Sequence, residues 1–177
     1  FRSRFSQSIP IVSDSYGLMN GYEFNFYEEL MDEMISSFTF YAKTINSVTG
    51  DDVRISERLY MPSRKLRGFQ RGKVGPVDSD DYVGGNYVSS LNFSATLPNV
   101  MPNWQTADFS VFFDAGNVWG VDYSSSVDNS NTIRSAAGIS LDWHTPVGPL
   151  SFSFANALTK ASTDKTESFR FNLGTTF

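Results

Sequence analysis

Alternation with a period of two runs through this chain, and its clearest instance is the C-terminus. Phe169, Phe171, Leu173, Thr175 and Phe177 fall on one face of an extended strand, and Arg170, Asn172, Gly174 and Thr176 fall on the other. The same signature recurs upstream. Leu150, Phe152 and Phe154 alternate with Ser151, Ser153 and Ala155, while Ile133, Ala137, Ile139, Leu141 and Trp143 oppose Arg134, Ser140, Asp142 and His144. Phe109, Val111, Phe113, Ala115 and Trp119 oppose Asp108, Ser110, Phe112 and Asp114. Tyr87, Leu91, Phe93 and Leu97 oppose Ser90, Asn92, Ser94 and Thr96. Phe38, Phe40 and Ala42 oppose Thr39, Tyr41 and Lys43, Tyr22, Phe24 and Phe26 oppose Glu23 and Asn25, and the opening 1–11 segment alternates more loosely. Helical periodicity is nearly absent. The pattern predicts an all-β chain of about eight strands, each of roughly ten residues, with one aromatic-apolar face and one polar face.

Composition decides what such strands separate. The chain has 16 Phe and 8 Tyr among 177 residues, yet its hydrophobic content is only 40% and its mean hydropathy is negative. No apolar run approaches the roughly 18–20 residues of a membrane-spanning helix. Strands that alternate apolar-out and polar-in across a membrane barrel reconcile the aromatic richness with the polar average. A soluble sandwich with one wet face is the alternative. It fits less well, because a sandwich core draws on more Val and Ile and on shorter strands.

The connections alternate as well. Short ones near 28–33, 98–106 and 145–149 interleave with longer polar ones near 12–16, 121–131 and 160–167, as in a barrel with tight turns on one rim and loops on the other. The longest link runs from about 47 to 84 and shows no strand or helix of its own. Loops of that length are usually functional or disordered. It carries a basic run of Arg64, Lys65, Arg67, Arg71 and Lys73 around Leu66-Arg67-Gly68-Phe69. In isolation such a run is most simply a solvated loop. Because the chain begins at Phe1 without a Met, it is expected to be a piece of a longer precursor.

Several chemistries are excluded or disfavoured. With no cysteine there are no disulfides or thiolate sites, and a single histidine, His144, argues against a Ser/His/Asp triad or a histidine metal cluster. A net charge of −5 argues against nucleic-acid binding. Asp114 lacks a second carboxylate or histidine near it, Glu28, Glu29, Asp32 and Glu33 lack calcium-loop spacing and read as a solvated turn, and His144 reads as a strand-end residue. No enzyme activity, metal or cofactor is expected.

Five motifs in order give the chain a resemblance. Leu66-Arg67-Gly68-Phe69 is followed by Val74-Gly75-Pro76; Gly84-Gly85-Asn86 opens a strand; Phe112-Phe113-Asp114-Ala115-Gly116-Asn117-Val118-Trp119 follows. Ile133-Arg134-Ser135-Ala136-Ala137-Gly138-Ile139 with Pro146-Val147-Gly148-Pro149-Leu150 forms a penultimate hairpin, and 169–177 is the aromatic-ended terminal strand. Across essentially its whole length the chain resembles the BamA family of bacterial outer-membrane assembly barrels, within the surface-antigen superfamily. That resemblance implies the C-terminal half of a barrel of about sixteen strands, with POTRA domains and the N-terminal strands lying outside residues 1–177. Both ends of the chain would then face the periplasm, and the long loop would start outside the cell.

The resemblance also implies how the loop works. The loop folds back into the lumen, where Arg67 meets Asp114 on the inner wall in a charge-assisted pair, Phe69 packs beside it and Gly68 allows close backbone approach. The family often has a second acid where this chain has Asn92, which is expected to face inward and accept a hydrogen bond. The terminal strand, through Phe169, Phe171, Leu173, Gly174 and Phe177, would close the wall, act as an assembly signal and form one side of a lateral seam. Implied partners are outer-membrane lipids, client β-barrel proteins and accessory assembly lipoproteins. The implied function is folding and inserting outer-membrane barrels. A two-partner-secretion or autotransporter-assembly transporter on the same fold is the alternative, and a diffusion porin is a more distant one.

Overall fold

The computed structural model describes residues 1–8, 17–48, 50, 52–98, 100, 104, 106–127, 132–146 and 148–174. Their strands are β1 (Arg2–Ser8), β2 (Gly17–Met31), β3 (Met34–Ser47), β4 (Val77–Asp78), β5 (Asp81–Tyr82), β6 (Tyr87–Leu97), β7 (Ala107–Trp119), β8 (Arg134–Thr145), β9 (Gly148–Thr159) and β10 (Phe169–Leu173). All but β4 and β5 form one eight-stranded antiparallel sheet in which every strand pairs with its neighbours in the chain. The strands read from alternation are therefore the strands observed. Thr175, Thr176 and Phe177 lie outside the described residues, as do the predicted connection near 12–16 and parts of those near 98–106, 121–131 and 145–149.

The alternation sorts the side chains as expected. Tyr22, Phe38, Phe93, Phe113, Ile139 and Phe154 are exposed on one face, and tilted ring pairs such as Phe5–Tyr22 (4.9 Å) and Phe154–Phe169 (4.9 Å) link adjacent strands there. Such a continuous aromatic-aliphatic surface suits lipid. On the opposite face Asn92 lies beside Asp114 and Asp114 beside Ala136, in one row of cross-strand partners.

Two features depart from the sequence reading. Glu28 and Glu29 belong to β2, so the turn contracts to Asp32-Glu33, where Glu33 takes a left-handed φ of 65°. The segment after β3 is not structureless. It holds a 3₁₀ turn at Ile55–Glu57, the β4–β5 hairpin and a bridge between Leu59 and Gly85. Pieces this short carry no periodicity to read.

The segment between β3 and β6 lies across the inner face and builds a core there. Its Val53, Leu59, Met61, Leu66, Phe69 and Val74 pack with Ile45, Val88, Val118 and Ala136 of the wall. These wall residues sit on the polar faces of their strands. Where the loop covers it, the inner wall presents these apolar side chains together with buried polar ones such as Ser90, Asp114 and Asn117.

Candidate functional site

The tip of the loop, Leu66–Phe69, is held by β7. Asp114 is fully buried and accepts four hydrogen bonds. Its Oδ2 accepts from the Arg67 backbone N–H (3.0 Å) and from Arg67 Nε (2.7 Å). Its Oδ1 accepts from Arg67 Nη2 (2.8 Å) and from Asn92 Nδ2 (2.9 Å). A carboxylate has about four lone-pair sites, and all are filled here. The two guanidinium bonds make the forked, bidentate geometry that a lysine cannot reproduce.

Asn92 differs from its expected part. It donates to Asp114 rather than accepting from Arg67, gives a second bond to the Lys65 carbonyl (2.8 Å), and accepts from the Ser90 hydroxyl (3.2 Å). The amide carries both donors and an acceptor, and proximity to a carboxylate selects the donor side. A second carboxylate in this place could not complete Asp114's hydrogen bonds.

Phe112, two residues before Asp114 on the same face, supplies a contact that the sequence did not reveal. Its ring centroid lies 3.5 Å from Arg67 Cζ, a cation–π stack that also fixes the guanidinium plane. Gly138 on β8 makes room for that ring, since a Cβ there would come within 2.8 Å of Phe112 Cζ and 2.0 Å of the Phe154 carbonyl oxygen. Gly68 has φ of 86°, and a Cβ on it would lie 3.0 Å from Ala136 Cβ and 3.2 Å from Ala155 Cβ. Both the left-handed backbone and the close approach to the wall call for glycine. Phe69 is buried in the core between loop and wall.

Other ion pairs tie the loop down along its length. Lys65 Nζ reaches Glu23 on β2 at 2.7 Å. Arg58 pairs with Asp122, beyond the end of β7, and the Asp122 carboxylate also accepts from the Val53 N–H (2.7 Å) and the Asn86 amide (3.0 Å). On the terminal strand, Phe169, Phe171 and Leu173 point to the exposed face and pair with Phe154, Phe152 and Leu150 of β9, while the Gly174 N–H donates to the Pro149 carbonyl at 2.8 Å. Arg170, on the inner face of the same strand, donates to the Ser63 and Phe69 carbonyls of the loop. Arg134 and Asp164 form a fully buried bidentate pair that anchors the segment between β9 and β10. Of the basic run, Arg64, Arg71 and Lys73 remain exposed. His144 is exposed near the end of β8, 3.8 Å from Asp108.

Asp122 gives the loop a pH dependence. Burial pushes its carboxyl up, but the Val53 and Asn86 hydrogen bonds and the Arg58 charge outweigh that and hold it below the usual carboxylate range. A depressed folded-state value means stabilisation that is complete above the unfolded value of about 3.9 and lost as pH falls through the folded one. Asp122→Asn should therefore lower the unfolding temperature near neutrality, and the gap between variant and wild type should close on acidification below about pH 4. A gap unchanged by acid would count against the assignment.

Comparison with known proteins identifies the family. The model of the Omp85 superfamily domain matches residues 1–177. The outer membrane protein assembly factor BamA of Neisseria meningitidis serogroup B is 36% identical over 141 residues, covering 63% of this chain and 17% of its own length. BamA of Neorickettsia risticii is 28% identical over 146 residues, covering 81% of this chain and 20% of its own. The crystal structure of Haemophilus ducreyi BamA lacking POTRA domains 1–3 superposes with a TM-score of 0.85 at 28% identity, over 99% of this chain and 38% of that one. The chain thus spans about a fifth of the length of the curated relatives it matches. With the sheet, its lipid-suited face and the motif order in agreement, the chain belongs to the Omp85 superfamily, as part of the β-barrel wall of a bacterial outer-membrane protein.

Proposed function

We propose that this segment is the C-terminal wall of an assembly factor that folds and inserts β-barrel proteins into the outer membrane. The observation that carries the reading is the Leu66–Phe69 turn docked on the inner wall through the four-bonded Asp114, taken with the similarity to two assembly factors. The docked loop keeps the inner wall rigid, while the terminal strand β10 offers backbone N–H and C=O groups at a lateral seam. Unpaired edge groups recruit an incoming strand, because hydrocarbon supplies no other hydrogen-bond partner. The work is done by strand exchange and by the surrounding lipid, without a catalytic residue, cofactor or nucleotide. Client barrels, outer-membrane lipids and accessory assembly lipoproteins are its partners.

The test is reconstitution of the full-length protein in liposomes with a urea-unfolded client barrel, following the client's heat-resistant folded band. Wild type should accelerate client folding, and Arg67→Ala should abolish most of that acceleration. A protein that instead exports a polypeptide, or that shows a large steady conductance with no effect on client folding, would overturn the reading in favour of a transporter or a porin.

A further inference from the structure

The connection between the loop and the terminal strand is more extensive than a neighbouring contact. Arg170 sits on the inner face of β10, opposite Ser153 of β9, with its side chain only 12% exposed. Its Nη1 donates to the Ser63 carbonyl at 2.6 Å, its Nη2 to the Phe69 carbonyl, and its Nε to Glu167 Oε2 at 2.8 Å. Ser63 and Phe69 lie on the two legs of the turn that carries Arg67 at its tip. One planar guanidinium therefore spans the mouth of that turn, and Glu167 holds the guanidinium in place. Three donors fixed in one plane can do this; an ammonium on a flexible stem cannot.

The backbone repeats the tie. The Glu167 N–H donates to the Gly68 carbonyl (3.0 Å), the Gln70 N–H to the Lys165 carbonyl (2.9 Å) and the Lys165 N–H to the Lys73 carbonyl (3.2 Å), with Phe69 and Thr166 in a β-bridge. The run entering β10 is thus paired with the loop in the manner of a strand. Within the sheet, β10 pairs with β9 from Phe169 to Leu173, flanked by the Ala155 N–H to Ser168 carbonyl and Gly174 N–H to Pro149 carbonyl bonds. Loop contacts are a large part of what fixes the start of the terminal strand.

We infer that Arg170 is a positioning residue that couples the terminal strand to the Leu66–Phe69 turn, so that loosening either one loosens the other. This deepens the proposed function, on which its significance rests, by naming how a disturbance of the seam strand reaches the docked loop. Displacement of β10 moves the guanidinium away from both carbonyls, the mouth of the turn opens, and Arg67 loses the geometry that aims it at Asp114. Thermodynamic coupling is reciprocal, so undocking the turn must act back on β10 by the same factor.

The experiment uses the full-length protein in nanodiscs and reads hydrogen exchange of the β10 amides together with tryptic cleavage after the exposed Arg64 and Arg71. Arg67→Ala should raise β10 exchange about fivefold or more in an otherwise wild-type background, and should raise it little once Arg170→Lys is present. Arg170→Lys alone should speed cleavage at Arg64 while leaving exchange in β2 and β3 unchanged. Arg170→Lys keeps the charge and much of the bulk, so it folds even where Arg170→Ala does not. If Arg67→Ala changes β10 exchange equally in both backgrounds, or not at all, the inference is overturned. Client folding is measured separately. Coupling without client folding would sink the assembly reading and spare this one, whereas client folding without coupling would do the reverse.

Discussion

Asp164→Ala should be the most damaging single substitution in the described residues, costing about 3–5 kcal/mol. Asp164 and Arg134 have side chains that are both 0% exposed. Arg134 donates to Asp164 through Nε (2.9 Å) and Nη2 (3.1 Å), and through Nη1 to Asn117 and to the Thr132 carbonyl. Asp164 also accepts from the Ala161 N–H at 2.6 Å, so it shapes its own loop. Truncating the acid strands a guanidinium with neither water nor a counter-charge. The double change Arg134→Met with Asp164→Leu should cost clearly less than either single truncation, because the isolated buried charge, rather than the lost attraction, dominates the penalty. Urea titration of the heat-resistant band would give all three values. Single-variant losses below about 1 kcal/mol would show that water reaches the pair.

Asp114→Ala should follow, at about 2–5 kcal/mol and toward the lower end, since Arg67 retains 20% side-chain exposure and can recover some hydration. Arg67→Lys should rescue only part of what Arg67→Ala loses. Lysine keeps the charge, but it forfeits the fork on the Asp114 carboxylate and the flat stack on Phe112. Loop docking and client folding should fall together in these variants. Unchanged heat-modifiability and insertion in both Arg67→Ala and Asp114→Ala would remove the turn from the mechanism.

Much of this was legible in the residues, for a simple reason. Alternation of Phe and Tyr with Ser, Asn and Asp states which face each side chain takes, so the strands and the inward direction of Asp114 and Asn92 could be read directly. What alternation cannot state is which stretch of loop lies across a face. Val88 and Val118 were the available signal, being apolar residues on otherwise polar faces, and they mark where the loop is buried. Arg134 was assigned to the inner face, but its partner lies in a different connection and no local spacing joins them. Phe112 likewise falls among the polar residues of its strand. Its purpose appears only when Gly138 clears a place for the ring and Arg67 covers it. The donor role of Asn92 depended on knowing that Asp114 was already engaged.

The nearest-neighbour order of the sheet has a consequence for how the wall is built. Neighbouring strands of the sheet can zip in sequence across links of two to about fourteen residues, except where β6 must find β3 over residues 48–86. Closing about forty residues rather than a four-residue turn costs roughly 2 kcal/mol more in chain entropy, a small thermodynamic handicap. The kinetic handicap is larger. The segment's partners arrive one after another, Glu23 with β2, Asp114 with β7 and Arg170 only with the last strand. A segment that lies inside a wall must also be in place before that wall closes around it. Among the described strands, the loop therefore gains its last side-chain partner, Arg170, with β10.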